Sequence, residues 1–397
     1  MNDAMTADSS PRRIVVIKFA PLDRDPRVLR QIETLQGLGT ITTVGYGPKP
    51  HGADDHIEIP AGQSSWRSGK LALVLLYGLR LHRRLYFGAP RVRYVLGRIA
   101  VGSMDVVVAN DALAVPLALE LRPRRGVHAD LHEYSPRQGE AKSWKLLVAP
   151  LMRWACRRTA AVSSATTVAP GIAEEYRRSY GIDCAVVPNA ARYRGDLAPT
   201  PAATPLRLVH IGVAGRARRL EVMIDAVIAA ERVTPGRFVF DLYLAAGDQS
   251  YIDELCDRVV QSGCQAVQVR PPVPYAQMVD TLAEYDVGMF VCPGTTFNLE
   301  HALPNKFFEY VQARLGVIIG PSVEMAQYVR RYGIGVIADG FDAAATHAAL
   351  DTLDRDRVTQ FKAASHACAE ELSSERTAVP WREDVAALLG TDARKGK

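Results

Sequence analysis

Apolar residues in this chain fall into short unbroken runs separated by longer stretches of helical periodicity. "RIVVIKF" (13–19) is the first run, β-rich and closed by a Pro/Asp loop. "DPRVLRQIETLQGLG" (25–39) follows with a helical pattern. Asp25 is placed to cap it, Pro26 sits at its first position, and Gly37 and Gly39 mark its end. The alternation continues through "ITTVGYG", "DVVVAN", "GVHADLH", "AAVSSATTVAP" and "CAVVPNA". Helical patterns at 68–87, 111–122, 143–158 and 170–180 lie between these runs. Strands without polar alternation are expected where both faces of a sheet are covered. The reading is therefore α/β, with a doubly wound parallel sheet.

The pattern breaks at "ARYRGDLAPTPAATPLR" (191–207), where three prolines and small residues read as a linker. A second series then begins with "LRLVHIG", "FDLYLAA", "VQVRPP", "DVGMFVC", "GVIIG" and "GIGVIAD". Its helices are expected near 219–232, 251–262, 275–284, 304–314, 322–331 and 342–352. Two Rossmann-like domains follow: 1–191, then a linker at 192–205, then 206–377. A last helix in 378–397 is expected to pack back on the first domain. Ligands of such sheets sit outside the strands' carboxyl ends, so the cleft between two such domains is the expected site.

Composition narrows the function classes. The 397 residues are 48% hydrophobic and 23% charged, with a net charge of +5, as in ordinary globular domains. The six cysteines have no zinc-ligand spacing, which points to a reduced, cytoplasmic chain without a metal cluster. "MNDAMTADSSPRR" has no apolar signal core. The longest apolar run, Leu71–Leu79, is far short of the roughly 20 residues of a spanning helix. Charge is unevenly spread. Residues 59–104 hold no Asp or Glu but carry Arg67, Lys70, Arg80, Arg83, Arg84, Arg91, Arg93 and Arg98 among aromatic and leucine residues. That suits an anionic membrane surface or an anionic substrate, or it is simply the basic outer face of two helices. No nucleic-acid-binding motif accompanies the charge.

No P-loop, GxGxxG after a strand, or GxSxG occurs, which disfavours an ATPase, a dinucleotide dehydrogenase and a serine hydrolase. Three other stretches carry candidate chemistry. In "LVHIGVAGRARRLEVMIDAV" (208–227), Gly212 and Gly215 make a turn, and Arg216, Arg218 and Arg219 precede a helix. Cations there oppose the helix dipole, and a bound pyrophosphate relieves the conflict. In "HALPNKFFEY" (301–310), Pro304 or Asn305 starts a helix that carries Lys306 and, about one turn from Asn305, Glu309. Lys306 suits a phosphate and Glu309 a vicinal diol. In "HADLHEYSP" (128–136), Asp130, His132 and Glu133 cluster at a strand's carboxyl end.

Four stretches, "DPRVLRQIETLQGLG", "DLHEYSP", "VSSATTVAPGIAEEYRRSYG…VVPNA" and "DVGMFV…ALPNKFFEYVQARLGVIIG", resemble the GT-B glycosyltransferases of the family-4 type, and the likeness extends over nearly the whole chain. The resemblance implies two Rossmann-like domains, a nucleotide-diphosphate sugar (UDP- or GDP-linked) as co-substrate, no essential metal or other cofactor, and transfer with retention. It implies donor contacts at Gly212, Arg216, Arg218, His301, Pro304, Asn305, Lys306 and Glu309, with Glu309 on the ribose and Arg218 and Lys306 on the diphosphate. His132 matches the histidine at the reaction centre, and Asp23, Arg24, Asp130 and Glu133 fall on the acceptor side. The chain departs from the family's E-x7-E pattern: eight places before Glu309 stands His301, with Glu300 one place off. The implied reaction is sugar transfer to a hydroxyl acceptor, lipid-linked or small, in cell-envelope glycan or glycolipid synthesis at the inner face of the plasma membrane. A soluble natural-product transferase and a catalytically silent sugar-nucleotide-binding scaffold are the alternatives.

Overall fold

The computed structural model describes residues 11–63, 78–139 and 141–390. They form two compact units. The first comprises 1–168, 172–187 and 378–397, and the second 169–171 and 188–377. Among the described residues, no helix is long and apolar enough to cross a membrane. Residues 64–77, with Trp66, Arg67, Lys70, Tyr77 and half of the helix expected at 68–87, lie outside the description.

In the first unit the strands are β1 (Arg13–Pro21), β2 (Thr40–Tyr46), β3 (Asp55–Glu58), β4 (Val106–Asn110), β5 (Gly126–Leu131), β6 (Ser164–Thr167) and β7 (Ala185–Val186). They form one sheet in the order β3-β2-β1-β4-β5-β6-β7, with every pairing parallel. In the second unit the strands are β8 (Leu206–Val213), β9 (Phe238–Ala245), β10 (Val267–Arg270), β11 (Val287–Phe290), β12 (Gly316–Ile319) and β13 (Gly335–Ile337). Their order is β10-β9-β8-β11-β12-β13, again all parallel. Each sheet is thus doubly wound, and its strand order reverses once, between β1 and β4 and between β8 and β11. All residues of β4, β11 and β12 are buried, as the unbroken apolar runs require.

Local chemistry sets the element ends. Asp25 accepts from the backbone N–H groups of Arg27 and Val28 at the start of the helix Pro26–Leu35. Gly37 then takes φ +80° just past its end. Asp248 caps the helix Gln249–Ser262, and Gly263 closes it in the left-handed region. The helix expected at 111–122 is shorter, Val115–Glu120, because Asp111 takes φ +68° and turns the chain out of β4 first.

Several elements escaped the sequence pattern, the short helices Phe297–Glu300 and Ser374–Thr377 among them. β3, "DHIE", is a half-exposed edge strand with too few apolar positions. The helix Pro90–Leu96 is a short turn inside the basic stretch. The helix Arg355–Cys368 buries Val358, Lys362, Ser365 and Cys368, a face that is half polar and so gives little apolar periodicity. Its Lys362 pairs with Asp286 at 3.0 Å, and Asp286 also binds Arg207 at 3.1 Å.

The proline-rich stretch 191–207 is packed on the second unit. Ala202 is buried there, its amide bonded to Thr359 and its carbonyl to Arg355. The helix Val379–Leu389 belongs to the first unit. Arg382 donates to the carbonyls of Thr34 and Gln36, and Arg125 donates to that of Leu389. Trp381 is 2% exposed, its ring 4.7 Å from the Arg27 guanidinium and its Nε1 donating to Thr166.

Trp381→Ala is expected to destabilise the first unit by about 3–5 kcal/mol, the usual cost of truncating a buried tryptophan. In calorimetry the unfolding of that unit moves to lower temperature, and the transition of the second unit stays in place.

Candidate functional site

In the second unit the chemistry gathers at the topological switch between β8 and β11. His210 lies in β8 and is fully buried. Its Nδ1–H donates to the Met289 carbonyl at 2.8 Å, which leaves Nε2 as an acceptor. Lys306 Nζ lies 3.3 Å from that Nε2 and 4.6 Å from the centre of the Phe290 ring. Burial, with Lys306 and Arg218 nearby, holds the imidazole well below its ordinary pKa, so it stays neutral.

Gly212, two residues beyond His210, takes φ +145°. A Cβ there would stand 2.4 Å from Lys306 Nζ and 3.4 Å from an Arg218 Nη, so only glycine leaves room for the two cations. Lys306 is 6% exposed and forms none of the ion pairs found among the described residues. Burial, and then repulsion from Arg218, push its pKa down to about 7. Arg218 is half-buried at the end of the 3-10 turn Arg216–Arg218. Two cations therefore converge at a strand's carboxyl end, where a bound anion is the missing partner.

Pro304 precedes the helix Asn305–Gln312, which begins at Asn305 and aims its first N–H groups out of the same loop. Glu309 is 4% exposed, one turn from Asn305 on that helix. Arg216 is not brought to Lys306. Its guanidinium is held by Asp248 at 3.1 Å and Glu254 at 2.7 Å and stacks on Tyr251. Those carboxylates, with Glu221 in the first turn of the next helix, offset the basic charge that an anion was expected to balance at Arg216 and Arg219. His301 stands on Phe297, with ring centres 4.7 Å apart, and its Nδ1 pairs with the buried carboxylate of Glu324 at 2.8 Å. Glu300 is exposed.

In the first unit a second cluster gathers at the switch between β1 and β4. Asp130 is fully buried and takes a two-pronged bond from Arg27, Nε at 2.8 Å and Nη2 at 2.6 Å. Thr166 donates to it at 2.8 Å, and His132 Nε2 lies 3.1 Å away. Burial opposes its ionisation, but Arg27 and His132 prevail and hold the carboxyl well below the ordinary value. The His132 Nε2 also faces Asn110 Oδ1 at 3.2 Å, and its Nδ1 faces Lys18 Nζ at 3.1 Å. Nε2, facing two oxygens, carries the proton, and Nδ1 accepts from the lysine. Lys18 is also paired with Asp25 and lies 3.7 Å from Asp111.

Asp130 thus positions His132 from below and is sealed from solvent. Asp23 and Arg24 pair with each other, Arg24 at the surface, and the neighbouring Asp25 joins the cluster in their place. Glu133 is exposed. Sequence reasoning missed Lys18, Asn110, Asp111, His210 and Glu324. The signal for Lys18 and His210 was a single polar residue inside an otherwise apolar strand, near its carboxyl end. Among the described residues no group of three or more His, Cys, Asp or Glu is gathered as a metal-ligand set.

The fold has known counterparts. The Anabaena protein Alr3699/HepE in complex with UDP superposes with a TM-score of 0.69 at 12% identity, covering 95% of this chain and 100% of that one. Sucrose-phosphate synthase from Thermosynechococcus elongatus gives 0.69 at 13% identity, covering 96% and 99%. A glycosyltransferase from Rickettsia africae gives 0.63 at 11% identity, covering 98% and 100%. The chain therefore has the GT-B fold. No family model matches the sequence, and no curated protein matches it.

Lys306 yields a pH signature. A bound anion raises its pKa, so above pH 7 binding must also take up a proton, and affinity falls as pH rises. In titrations with inorganic pyrophosphate, the ratio of wild-type to Lys306→Gln affinity is expected to fall above pH 7, approaching about tenfold per pH unit. A ratio independent of pH between 6 and 9 overturns the assignment.

Proposed function

We propose that this protein is a retaining glycosyltransferase that moves a sugar from a nucleotide-diphosphate sugar to a hydroxyl acceptor. The observation that carries the reading is the convergence of Lys306 and Arg218 beside Gly212, where a departing diphosphate finds two cations already in place. Such charges stabilise the negative charge that develops as the glycosidic bond breaks, and they need no reorganisation at that moment. They supply the positive charge that a metal ion supplies in other enzymes, so the proposed reaction is metal-independent. Support for a UDP-linked donor comes from HepE, which was crystallised with UDP and with UDP-glucose.

The proposal assigns a role to each residue. The Glu309 carboxylate takes the ribose diol. His301, fixed through Nδ1 by Glu324, offers its other ring nitrogen to a sugar hydroxyl in place of the expected carboxylate. In the first unit, His132 and Lys18 present a braced polar surface at the strand ends for the transferred sugar and the acceptor. Arg218→Ala and Glu309→Ala are each expected to lower kcat/KM at least 100-fold, about 2.7 kcal/mol of transition-state stabilisation. Wild-type kcat/KM in both variants with a turned-over donor rejects these roles.

The acceptor is read as lipid-linked, as in cell-envelope glycan assembly, with the enzyme on the cytoplasmic face of an anionic membrane. Residues 78–87 and 141–158 of the first unit contain no Asp or Glu. They expose Arg83, Arg84, Lys142, Lys145, Arg157 and Arg158, together with Leu79, Leu146 and Leu147. The two segments meet where the Tyr86 and Trp154 rings lie 5.5 Å apart. Exposed leucines ringed by cations suit an anionic bilayer. Wild type is expected to co-sediment with anionic vesicles at low salt, and the double variant Leu146→Ser, Leu147→Ser at least tenfold less. No co-sedimentation of wild type ends the membrane reading.

A further inference from the structure

Arg91 is the second residue of the helix Pro90–Leu96 and is only 9% exposed. Its guanidinium lies 4.1 Å over the ring of Phe19, near the carboxyl end of β1 and one residue beyond Lys18. Its Nε is buried without a hydrogen-bond partner. The nearby Tyr86 hydroxyl, which donates to the Leu113 carbonyl at 2.5 Å, is not a partner of this Nε either. No acid lies in its own stretch, 59–104. The contrast with Arg27 in the same unit is direct: that buried guanidinium has Asp130.

A buried cation without an acceptor carries a large desolvation cost. Stacking on an aromatic ring offsets only part of it. A guanidinium that meets a ring through its face engages an oxyanion through its N–H edge, with two parallel bonds. Open doubly wound sheets take their ligands at the strand ends beside the switch point, where Phe19 stands.

We propose that Arg91, stacked on Phe19, binds an oxyanion, phosphate or carboxylate, carried by the acceptor. The word acceptor rests on the glycosyltransferase reading; the anion site itself does not. The transferred sugar then goes to a hydroxyl on a molecule that also bears negative charge, and Arg91 anchors that molecule without touching the reacting atoms.

The test uses the full chain with Lys306→Met, which removes the cationic site of the second unit, in about 150 mM salt to screen surface charge. Binding of inorganic phosphate is read from phosphorus NMR line width, and binding of carbon-13-labelled malonate from carbon line width. At least one probe is expected to bind saturably. Adding Arg91→Met should weaken it at least tenfold, and adding Arg91→Lys should do so by less. Saturable binding of neither probe, or equal binding with and without Arg91→Met, overturns the proposal. If Arg91→Met does not fold, Phe19→Leu keeps the charge and removes the platform; several-fold weaker binding is expected, and unchanged affinity overturns the proposal. Wild type and Arg91→Met compared on glycerol 3-phosphate and on phosphatidic acid vesicles then separate a soluble from a lipid-borne phosphate. Failure of the donor reading shows up elsewhere, as UDP binding that Lys306→Met leaves intact.

Discussion

A buried ammonium outside any of the ion pairs among the described residues organises the second unit. Lys306 reaches the switch point between β8 and β11, where it meets the neutral His210 and the ring of Phe290. The neutral imidazole follows from its own bond to the Met289 carbonyl, which fixes the tautomer and turns an acceptor toward the lysine. Gly212 supplies the space, and Arg218 adds a second positive charge. Both charges are tolerable in the empty protein because burial lowers the lysine's pKa and relieves part of the cost. On the proposed reading, a diphosphate bound there would reverse this, restoring the proton to the lysine.

The first unit uses the same topological position differently. There the charges are neutralised internally: Arg27 by Asp130, and Lys18 by Asp25. What remains at the strand ends is an imidazole held through both nitrogens. The C-terminal helix is part of this arrangement. Trp381 covers Arg27 and bonds Thr166, which in turn bonds Asp130. Three elements distant in sequence thus brace one histidine. Arg91, by contrast, is a buried cation without a carboxylate partner among the described residues.

His301 and Glu324 show how a departure from a family pattern can be absorbed. The carboxylate expected eight places before Glu309 is absent, but Glu324 supplies one from another loop, through the imidazole. On the proposed reading, the group offered to the donor sugar is a ring nitrogen oriented by a carboxylate.

Much of this architecture is written in local chemistry. Unbroken apolar runs such as "VVVAN" and "GVII" can only be strands covered on both faces, and their alternation with helices commits the chain to parallel sheets. Asp25, Pro26 and Gly37 set helix ends through backbone hydrogen bonds within a few residues. Lys306, Glu309, Arg218 and His132 were legible because they sit in loops or at helix starts beside those runs. The helix Arg355–Cys368 was not, because a buried lysine and serine interrupt its apolar face and find their partners only across the fold. The same holds for Lys18, His210 and Arg91, single polar residues whose meaning depends on what faces them. Only the tertiary structure decided that Arg216 is bound to Asp248 and Glu254 while Arg218 is not. Sequence spacing reports which residues lie near one another along an element; pairing between charges depends on distances across elements, and those exist only once the chain has packed.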